Sequence, residues 1–197
     1  VKGRNVMTQI GFIGLGNMGA KMATNLLKTK YEVIGYDINE EYVENLLPQG
    51  LKKANTLNDI NEDTDVVITM LPNGEIVEEI YDNIIDHLKP GTLIVDCSTI
   101  DVDKARSLHK KCEVKNLLSL DAPVSGGVGG AEHATLTFMV GGSQKAFEKM
   151  VPFFEIMGKK SLLCGPAGSG QATKACNNML LATTMISVGE AFSLGQN

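Results

Sequence analysis

The chain has 197 residues, and 43% of them are hydrophobic, which is enough to bury the core of one large α/β domain. Its formal net charge is -5, and its Lys and Arg residues form no long basic patch. We therefore expect no nucleic-acid partner and no anionic membrane surface. Since no apolar run reaches the ~18 residues of a membrane span, the expected partner is a small molecule.

The cysteines and histidines are scattered along the chain. The cysteine spacing has neither the close pairs of a zinc site nor the density of a secreted disulfide scaffold, so we expect reduced thiols in an intracellular protein. The histidines are isolated, and we expect them to face solvent on helices or loops. No metal site is predicted. The residues concerned are Cys97, Cys112, Cys164, Cys176, His87, His109 and His133.

Residues 1–6 lack the apolar core of a secretory signal. Met7 is the native start, or the residues before it are the remnant of a longer leader. A trimmed organellar presequence stays open, so the expected compartment is the mitochondrion for a eukaryotic source and otherwise the cytoplasm.

From Gln9 to about Ile156, apolar runs of strand length alternate with helical periodicity, the pattern of a parallel sheet covered by crossover helices. The predicted strands are Ile10–Ile13, Val33–Tyr36, Val66–Met70, Leu93–Asp96, Leu117–Asp121, Thr135–Val140 and Ser161–Leu163. The predicted helices are Met18–Thr29, Glu40–Leu47, Gly74–His87, Val102–Lys111 and Gln144–Met157. We predict an α/β fold with a doubly wound, mostly parallel, Rossmann-type sheet of seven or eight strands.

A long helix is predicted from Ser169 to about Leu194, after a Gly/Ser turn. At 1.5 Å per residue it would be close to 40 Å long. Its second half is apolar on more than one face, so it must be buried on more than one face. The domain before it can cover one side, and a second domain missing from this chain or a second subunit must cover the rest.

Glycines Gly14, Gly16 and Gly19 follow the first predicted strand and open the first helix, with Asn17 and Met18 between them. In this context G-x-G-x-x-G is a dinucleotide fingerprint. The first glycine permits a tight turn, the second lets backbone approach a pyrophosphate, and the third lets the helix pack on the strand. The helix N-terminus then faces the phosphates. The alternative is a glycine-rich turn without a ligand.

Asp37 ends the second strand, 18 residues after Gly19, where a carboxylate can accept hydrogen bonds from the adenosine ribose hydroxyls. Residues 38–41 supply no Arg or Lys for a 2′-phosphate, so NAD is the predicted cofactor. The alternative role for Asp37 is a helix N-cap or a turn residue.

Two later strand ends also belong to the edge where open parallel sheets bind ligands. Leu71, Pro72 and Asn73 follow one strand, and Ser98 and Thr99 follow the next. We predict cofactor contacts from these loops, although helix capping explains Asn73 and Ser98 equally well.

The segment from Ser125 to Gly130 contains four glycines and follows another strand end. Its free backbone N–H groups can converge on an anion, with the Ser125 hydroxyl as a further donor. A merely flexible loop is the alternative.

Lys174 and Asn178 lie four residues apart on the long helix, with Gly170 four before, so the three share one face, and Asn177 lies beside them. An amine and a carboxamide can thus meet at one substrate hydroxyl. Burial beside a cationic ring would disfavour the charged amine and bring Lys174 toward a general base. We expect Gly170 to leave room for the substrate.

These segments together resemble the β-hydroxyacid dehydrogenase family over essentially the whole chain. The resemblance is carried by the dinucleotide turn and by three further segments, Asp121–Gly129, Leu136–Gly142 and Lys174–Leu181. It is strongest to the branch that oxidises 3-hydroxyisobutyrate. Reductases of tartronate, glyoxylate or succinic semialdehyde, and 6-phosphogluconate dehydrogenase, share the same plan.

The resemblance implies an NAD-linked, reversible oxidation of 3-hydroxyisobutyrate to methylmalonate semialdehyde, a step of valine breakdown. It implies that Lys174 takes the hydroxyl proton and that Asn178 orients the hydroxyl. It also implies that residues 125–127 hold the substrate carboxylate, while Pro72 and Thr99 touch the cofactor near its nicotinamide. A non-catalytic NAD-binding module is the alternative from another class.

Members of this family continue past the long helix into an all-helical domain that closes the cleft and contributes dimer contacts. We therefore expect residues 1–168 to form the NAD-binding domain and residues 169–197 to begin a helical domain absent from this chain. A homo-oligomer, dimer or tetramer, is expected through the long helix and that domain.

Overall fold

A computed structural model describes residues 8–196, so the predicted start at Met7 lies outside the described residues. Within that range the strands are, in chain order, β1 Gln9–Ile13, β2 Glu32–Tyr36, β3 Lys52–Lys53, β4 Val66–Thr69, β5 Leu93–Asp96, β6 Leu118–Asp121, β7 Val124–Ser125, β8 Leu136–Gly142 and β9 Gly158–Gly165. The α-helices are α1 Gly19–Leu27, α2 Glu40–Glu44, α3 Gly74–Ile84, α4 Val102–Val114, α5 Gly127–Glu132, α6 Gln144–Met157 and α7 Ser169–Gly195. Short 3₁₀ turns cover Leu47–Gln49 and Leu57–Asp59.

The described strands form one sheet in the order β3-β2-β1-β4-β5-β6-β8-β7, with β9 paired to β8. The chain runs outward from β1 to β3, then returns to β4 on the other side of β1 and continues outward to β6. A crevice opens at such a reversal, above the carboxyl ends of β1 and β4. The doubly wound, mostly parallel sheet predicted from the sequence is confirmed.

Two hydrophobic layers cover the sheet, because its central strands are apolar on both faces. Every residue of β4 and β5 is buried, as expected for parallel strands between two helical layers. On one side, Phe12 and Ile68 pack in a cluster with Phe154 of α6. On the other side, Val67 packs with apolar residues of α3 and α4, such as Tyr81.

The far edge of the sheet turns antiparallel, since β8 runs against both β6 and β7. The sequence did not predict β3 or β7, because each is only two residues long and a two-residue strand shows no alternation. Nor did it predict α5, since glycine disfavours the helix interior. Residues 127–130, expected as a loop, instead lie within this short helix.

The long helix α7 begins and ends close to the predicted residues. Its first turn is buried against the sheet, with Gly170 and Gln171 covered. From Met179 onward its apolar side chains are exposed, and Phe192 keeps 73% of its surface accessible. Across residues 8–196, no helix combines the length and the apolar character needed to cross a bilayer.

Candidate active site

The glycine turn between β1 and α1 is held by contacts that exclude larger side chains. Gly14 has φ +93°, and its N–H donates to the carbonyl of Tyr36 at 2.9 Å. A Cβ on Gly19 would collide with the carbonyl of Gly14, so α1 can pack this closely only with glycine there. Gly16 differs, because a Cβ there would meet nothing within 4 Å. The space above Gly16 is therefore open for a ligand.

Asp37 holds the glycine turn directly. Its Oδ2 accepts the N–H of Leu15 at 2.7 Å, and its Oδ1 accepts the N–H of Asn39 at 2.8 Å. The N-cap of α2 is Asn39, whose side chain accepts the N–H of Glu41. Asp37 is thus not a helix cap, but the bond from Asn39, two residues further on, makes it the turn residue that was the other alternative. Its carboxylate ties the end of β2 to the dinucleotide turn, a function that the sequence did not predict.

A cleft of about 510 Å³ opens at the β1/β4 crevice. It brings together most of the predicted cofactor residues, and its polar rim is the glycine turn with Asp37. Residues that the sequence did not single out, such as Tyr42 and Ile80, supply its apolar walls. The predicted residues that line it are Gly14, Gly16, Asn17, Met18, Gly19, Asp37, Leu71 and Pro72. Three residues of the loops predicted to contact the cofactor, Asn73, Ser98 and Thr99, lie outside this lining.

The loop after β5 is fastened to the loop after β4. The buried hydroxyl of Ser98 accepts the N–H of Leu71 at 2.8 Å. Ser98 is therefore neither a helix cap nor an exposed ligand contact, and the exposed residue of this loop is Thr99. Asn73, in contrast, caps α3 by accepting the N–H of Ile76 at 2.9 Å.

Lys174 joins α7 to the strand that ends at Ser125. Its Nζ donates to the carbonyl of Val124 at 2.7 Å. The side chain is half-buried, and burial lowers the pKa of the amine. Ser125 follows at once, and the exposed Gly126 and Gly127 have φ of +128° and +61°. Since the first N–H groups of a helix lack intrahelical acceptors, residues 126–127 present donors beside the amine.

Asn178 lies one turn beyond Lys174 and is exposed, while Asn177 is half-buried. The expected role of Gly170 is wrong. A Cβ at Gly170 would collide with the carbonyl of Met139 and with Asp121. Glycine at this position lets α7 pack closely against the sheet and leaves no space for a substrate.

Two buried carboxyl groups lie beneath the site, and the sequence assigned neither of them a role. Asp121 accepts the N–H groups of Gly168 at 2.7 Å and Gln171 at 2.9 Å, so it caps α7 from the sheet. Asp96 accepts the hydroxyl of Thr69 at 2.8 Å and the N–H of Ser98 at 3.1 Å. Burial raises the pKa of both carboxyls. An Asp at the last position of an apolar strand was the available signal.

The histidine prediction holds only in part. His87 and His133 are exposed, but His109 is half-buried, with Nδ1 at 2.6 Å from the hydroxyl of Ser119. The four cysteines carry free thiols. Among the described side chains, no group of three or more His, Cys, Asp or Glu is arranged to hold a metal ion.

A glycine turn, an acid at the end of β2 and a cleft at the sheet's reversal point define a dinucleotide-binding domain of the dehydrogenase type. Residues 9–165 match the family model of the NAD-binding domain of 6-phosphogluconate dehydrogenase. The chain belongs to this family, and NAD is the cofactor of its domain.

Two curated relatives of this chain are named for different activities. The chain is 48% identical over 192 residues to an NAD-dependent L-serine dehydrogenase of Pseudomonas aeruginosa, covering 96% of this chain and 64% of the relative. It is 47% identical over 186 residues to a mitochondrial 3-hydroxyisobutyrate dehydrogenase of Drosophila melanogaster, covering 94% and 57%. The chain thus spans less than two thirds of the length of these relatives.

Among solved structures, a 3-hydroxyisobutyrate dehydrogenase of Mycobacterium tuberculosis, described with L-serine, superposes with a TM-score of 0.94. The identity is 45%, and the match covers 96% of this chain and 65% of that one. These comparisons show that the chain is similar in sequence and fold to part of each of these NAD-linked dehydrogenases.

Proposed function

We propose that this chain carries the NAD site and the proton acceptor of a dehydrogenase of short 3-hydroxy acids, with 3-hydroxyisobutyrate as the substrate. The observation that carries the proposal is the half-buried side chain of Lys174, whose amine donates to the Val124 carbonyl next to Ser125 and the exposed Gly126 and Gly127. A module that only bound NAD could use this amine to join α7 to the sheet, but would not need it as a proton acceptor.

The reaction balances with the groups present. The substrate hydroxyl gives its proton to the neutral amine of Lys174, and its carbon gives a hydride, leaving methylmalonate semialdehyde. NAD, when bound, supplies the acceptor for that hydride. The neutral amine can donate one N–H to Val124 and keep its lone pair for the proton. Because burial lowers its pKa, less free energy is needed to reach this state.

The substrate carboxylate fits the donors around residue 125. The Ser125 hydroxyl and the N–H groups of Gly126 and Gly127 are directional donors for an anion. Asn178, on the same face of α7 as Lys174, would orient the reacting hydroxyl, with Asn177 beside it. A carboxylate held at one place and a hydroxyl at another fixes the distance between them, which selects hydroxy acids by length.

The direction of the cofactor follows from the sheet. Asp37 lies at the end of β2, so the adenosine ribose belongs on that side of the glycine turn. The nicotinamide then lies over β4 and β5, near Leu71, Pro72 and Thr99. Like-charge repulsion by Asp37 and the nearby Glu40 and Glu41 would disfavour a 2′-phosphate, so we propose a preference for NAD over NADP.

L-Serine is the second candidate, favoured by the 48% identity to the L-serine dehydrogenase. Both molecules carry a carboxylate and a hydroxymethyl group on the same carbon. They differ only in the group on that carbon, a methyl in one and an ammonium in the other. The sites proposed for the carboxylate and the hydroxyl serve either molecule.

The test is a panel assayed on the whole protein. 3-Hydroxyisobutyrate and L-serine are offered with NAD or NADP, and tartronate semialdehyde, glyoxylate and succinic semialdehyde with NADH or NADPH. The highest kcat/KM is expected for 3-hydroxyisobutyrate with NAD. A highest value for L-serine would select the second candidate. Calorimetric binding of NAD with no turnover of any panel member would show a binding module instead.

Assembly, domain division and compartment belong to the same proposal. We propose that residues 1–168 are the NAD-binding domain, and that α7 enters a helical region through which copies of the protein associate. The exposed apolar side chains from Met179 onward support this. The mitochondrial name of the Drosophila relative supports a mitochondrial site, and a role in valine breakdown, if the source is eukaryotic.

A further inference from the structure

Gln171 is a buried amide, 2% exposed, in the first turn of α7. Its Nε2 donates to the carbonyl of Ser98 at 2.8 Å, and its Oε1 accepts the N–H of Ile100 at 3.1 Å. Both ends of the side chain are therefore satisfied by backbone on either side of Thr99. A buried amide used in this way fixes a loop, because losing either bond would strand a polar group without a partner.

The loop held by Gln171 is hydrogen-bonded to a wall of the cofactor cleft. Ser98 accepts the N–H of Leu71 at 2.8 Å, and Leu71 and Pro72 line the cleft. A continuous set of hydrogen bonds thus runs from α7 to the cleft wall formed by the loop after β4. By the sheet order, this wall lies on the nicotinamide side of the glycine turn.

The other end of this connection is the proposed proton acceptor. Lys174 lies three residues beyond Gln171, close to the same face of α7. The backbone N–H of Gln171 donates to Asp121, so the turn that carries both residues is anchored to the sheet. Any displacement of the Ser98–Ile100 loop relative to α7 therefore changes the distance between the nicotinamide wall and the Lys174 amine.

We infer that Gln171 is a positioning residue, which fixes the position of the nicotinamide side of the cofactor cleft relative to the amine of Lys174. This inference rests on the proposed function in taking Lys174 as the proton acceptor. The glycine turn and Asp37, proposed to hold the other half of the dinucleotide, share no hydrogen bond with Gln171. Loss of the Gln171 side chain should therefore weaken binding of the nicotinamide half of the cofactor and leave binding of the adenosine half unchanged.

The experiment compares the binding of NADH and of ADP-ribose, which lacks the nicotinamide, by calorimetry on the whole protein. In Gln171→Met, which keeps the length and removes both bonds, we expect NADH affinity to fall about tenfold, the loss that an unpaired buried polar group produces. ADP-ribose affinity should stay within about twofold. The matched control is Gln144→Met, since Gln144 is exposed and bonds only within its own helix.

A kinetic measurement accompanies the binding. In Gln171→Met, kcat for the 3-hydroxy acid should fall while its KM changes little, because the substrate donors are on the Ser125 side. Gln171→Leu also removes both bonds and adds no buried charge. It provides the same comparison if the Met variant does not fold.

Equal losses for NADH and ADP-ribose, or no loss for either, would overturn the inference. A selective loss of NADH affinity in a protein that turns over no 3-hydroxy acid would support the cleft-wall role of Gln171 and reject the proposed function. Failure of the inference and failure of the proposed function can therefore be told apart.

Discussion

Asp96 and Asp121 are register partners at the ends of neighbouring parallel strands, β5 and β6, and both carboxyls are buried. Both oxygens of Asp121 accept backbone N–H groups at the N-terminus of α7. Asp96 uses Oδ1 for Thr69 and Ser98, and its Oδ2 is buried without a hydrogen-bond partner. Burial, with the neighbouring Asp121 as a smaller cause, raises the pKa of Asp96.

This difference predicts different effects on stability when each of the two Asp residues is replaced by Asn. Asp96→Asn retains the oxygen that accepts from Thr69 and Ser98 and removes a buried charge, so we expect unchanged or higher stability at pH 7. Asp121→Asn places an amide against an N–H donor and should destabilise the fold by about 1–3 kcal/mol. Urea unfolding of both variants checks this, and equal losses would contradict it.

The pH dependence of stability follows from the raised pKa of Asp96. A carboxyl whose pKa is raised by folding binds its proton more tightly in the folded state, so its contribution to stability is fully present below the unfolded value and declines as pH rises through the folded one. Relative to Asp96→Asn, the wild type should therefore be more stable at pH 4 than at pH 7. Each pKa unit corresponds to about 1.4 kcal/mol. Parallel unfolding curves at the two pH values measure the difference.

The glycine turn allows binding to be separated from folding. Gly16→Ala should leave the free energy of unfolding within about 0.5 kcal/mol, since a Cβ there meets nothing. NAD affinity should nevertheless fall at least about tenfold, because that methyl enters the space proposed for the pyrophosphate. Gly19→Ala should impair folding itself. Gly189→Ala, at an open position of α7, is the control and should bind NAD normally.

Removing the proposed proton acceptor should lower turnover and leave cofactor binding unchanged. Lys174→Met is expected to lower kcat about 10²- to 10⁴-fold, the usual contribution of general base catalysis, with NAD affinity unchanged. In the wild type, oxidation should slow as pH falls and the amine is protonated, with a midpoint below the ordinary lysine value because burial lowers its pKa. Lys160→Met, at an exposed lysine of β9, is the control. Unchanged turnover in Lys174→Met would reject the proposed chemistry.

Asp37 should affect both selectivity and stability. Asp37→Asn removes the charge that disfavours a 2′-phosphate, so kcat/KM for NAD should fall about tenfold and that for NADP should rise. Only one of the N–H groups of Leu15 and Asn39 would then meet an oxygen, and the other would face the amide NH₂, with a loss of about 1–3 kcal/mol in unfolding free energy. Glu44→Gln, at an exposed carboxylate outside the cleft lining, is the comparison. A wild type that prefers NADP would contradict the role given to Asp37.

The exposed part of α7 predicts self-association. Met185→Lys with Phe192→Lys should shift the whole protein toward smaller species in sedimentation velocity, because two charges would enter an apolar interface. Thr184→Lys adds a charge on the same helix without removing an apolar side chain. The same distribution of species in the double variant and the wild type would show that this surface is not the interface.

The long central strands, the glycine turn and α7 could be predicted because each depends on a local pattern. Strands β4 and β5 are continuous apolar runs, and Gly14 and Gly19 occupy places where only glycine fits. The short elements β7 and α5 depend instead on pairing with β8 and on contacts with other elements, so the sequence around them resembles a loop.

The sequence by itself determined the class of protein. Its pattern of strands and helices, its fingerprint and the acid at position 37 each follow from local chemistry. The tertiary structure alone decided which groups act together. Asp37 holds the Leu15 N–H, Gly170 serves packing, and Asp121 and Gln171 join α7 to loops 47–73 residues away. Such contacts arise from how the sheet orders its strands, and a single sequence carries no local pattern that reports them.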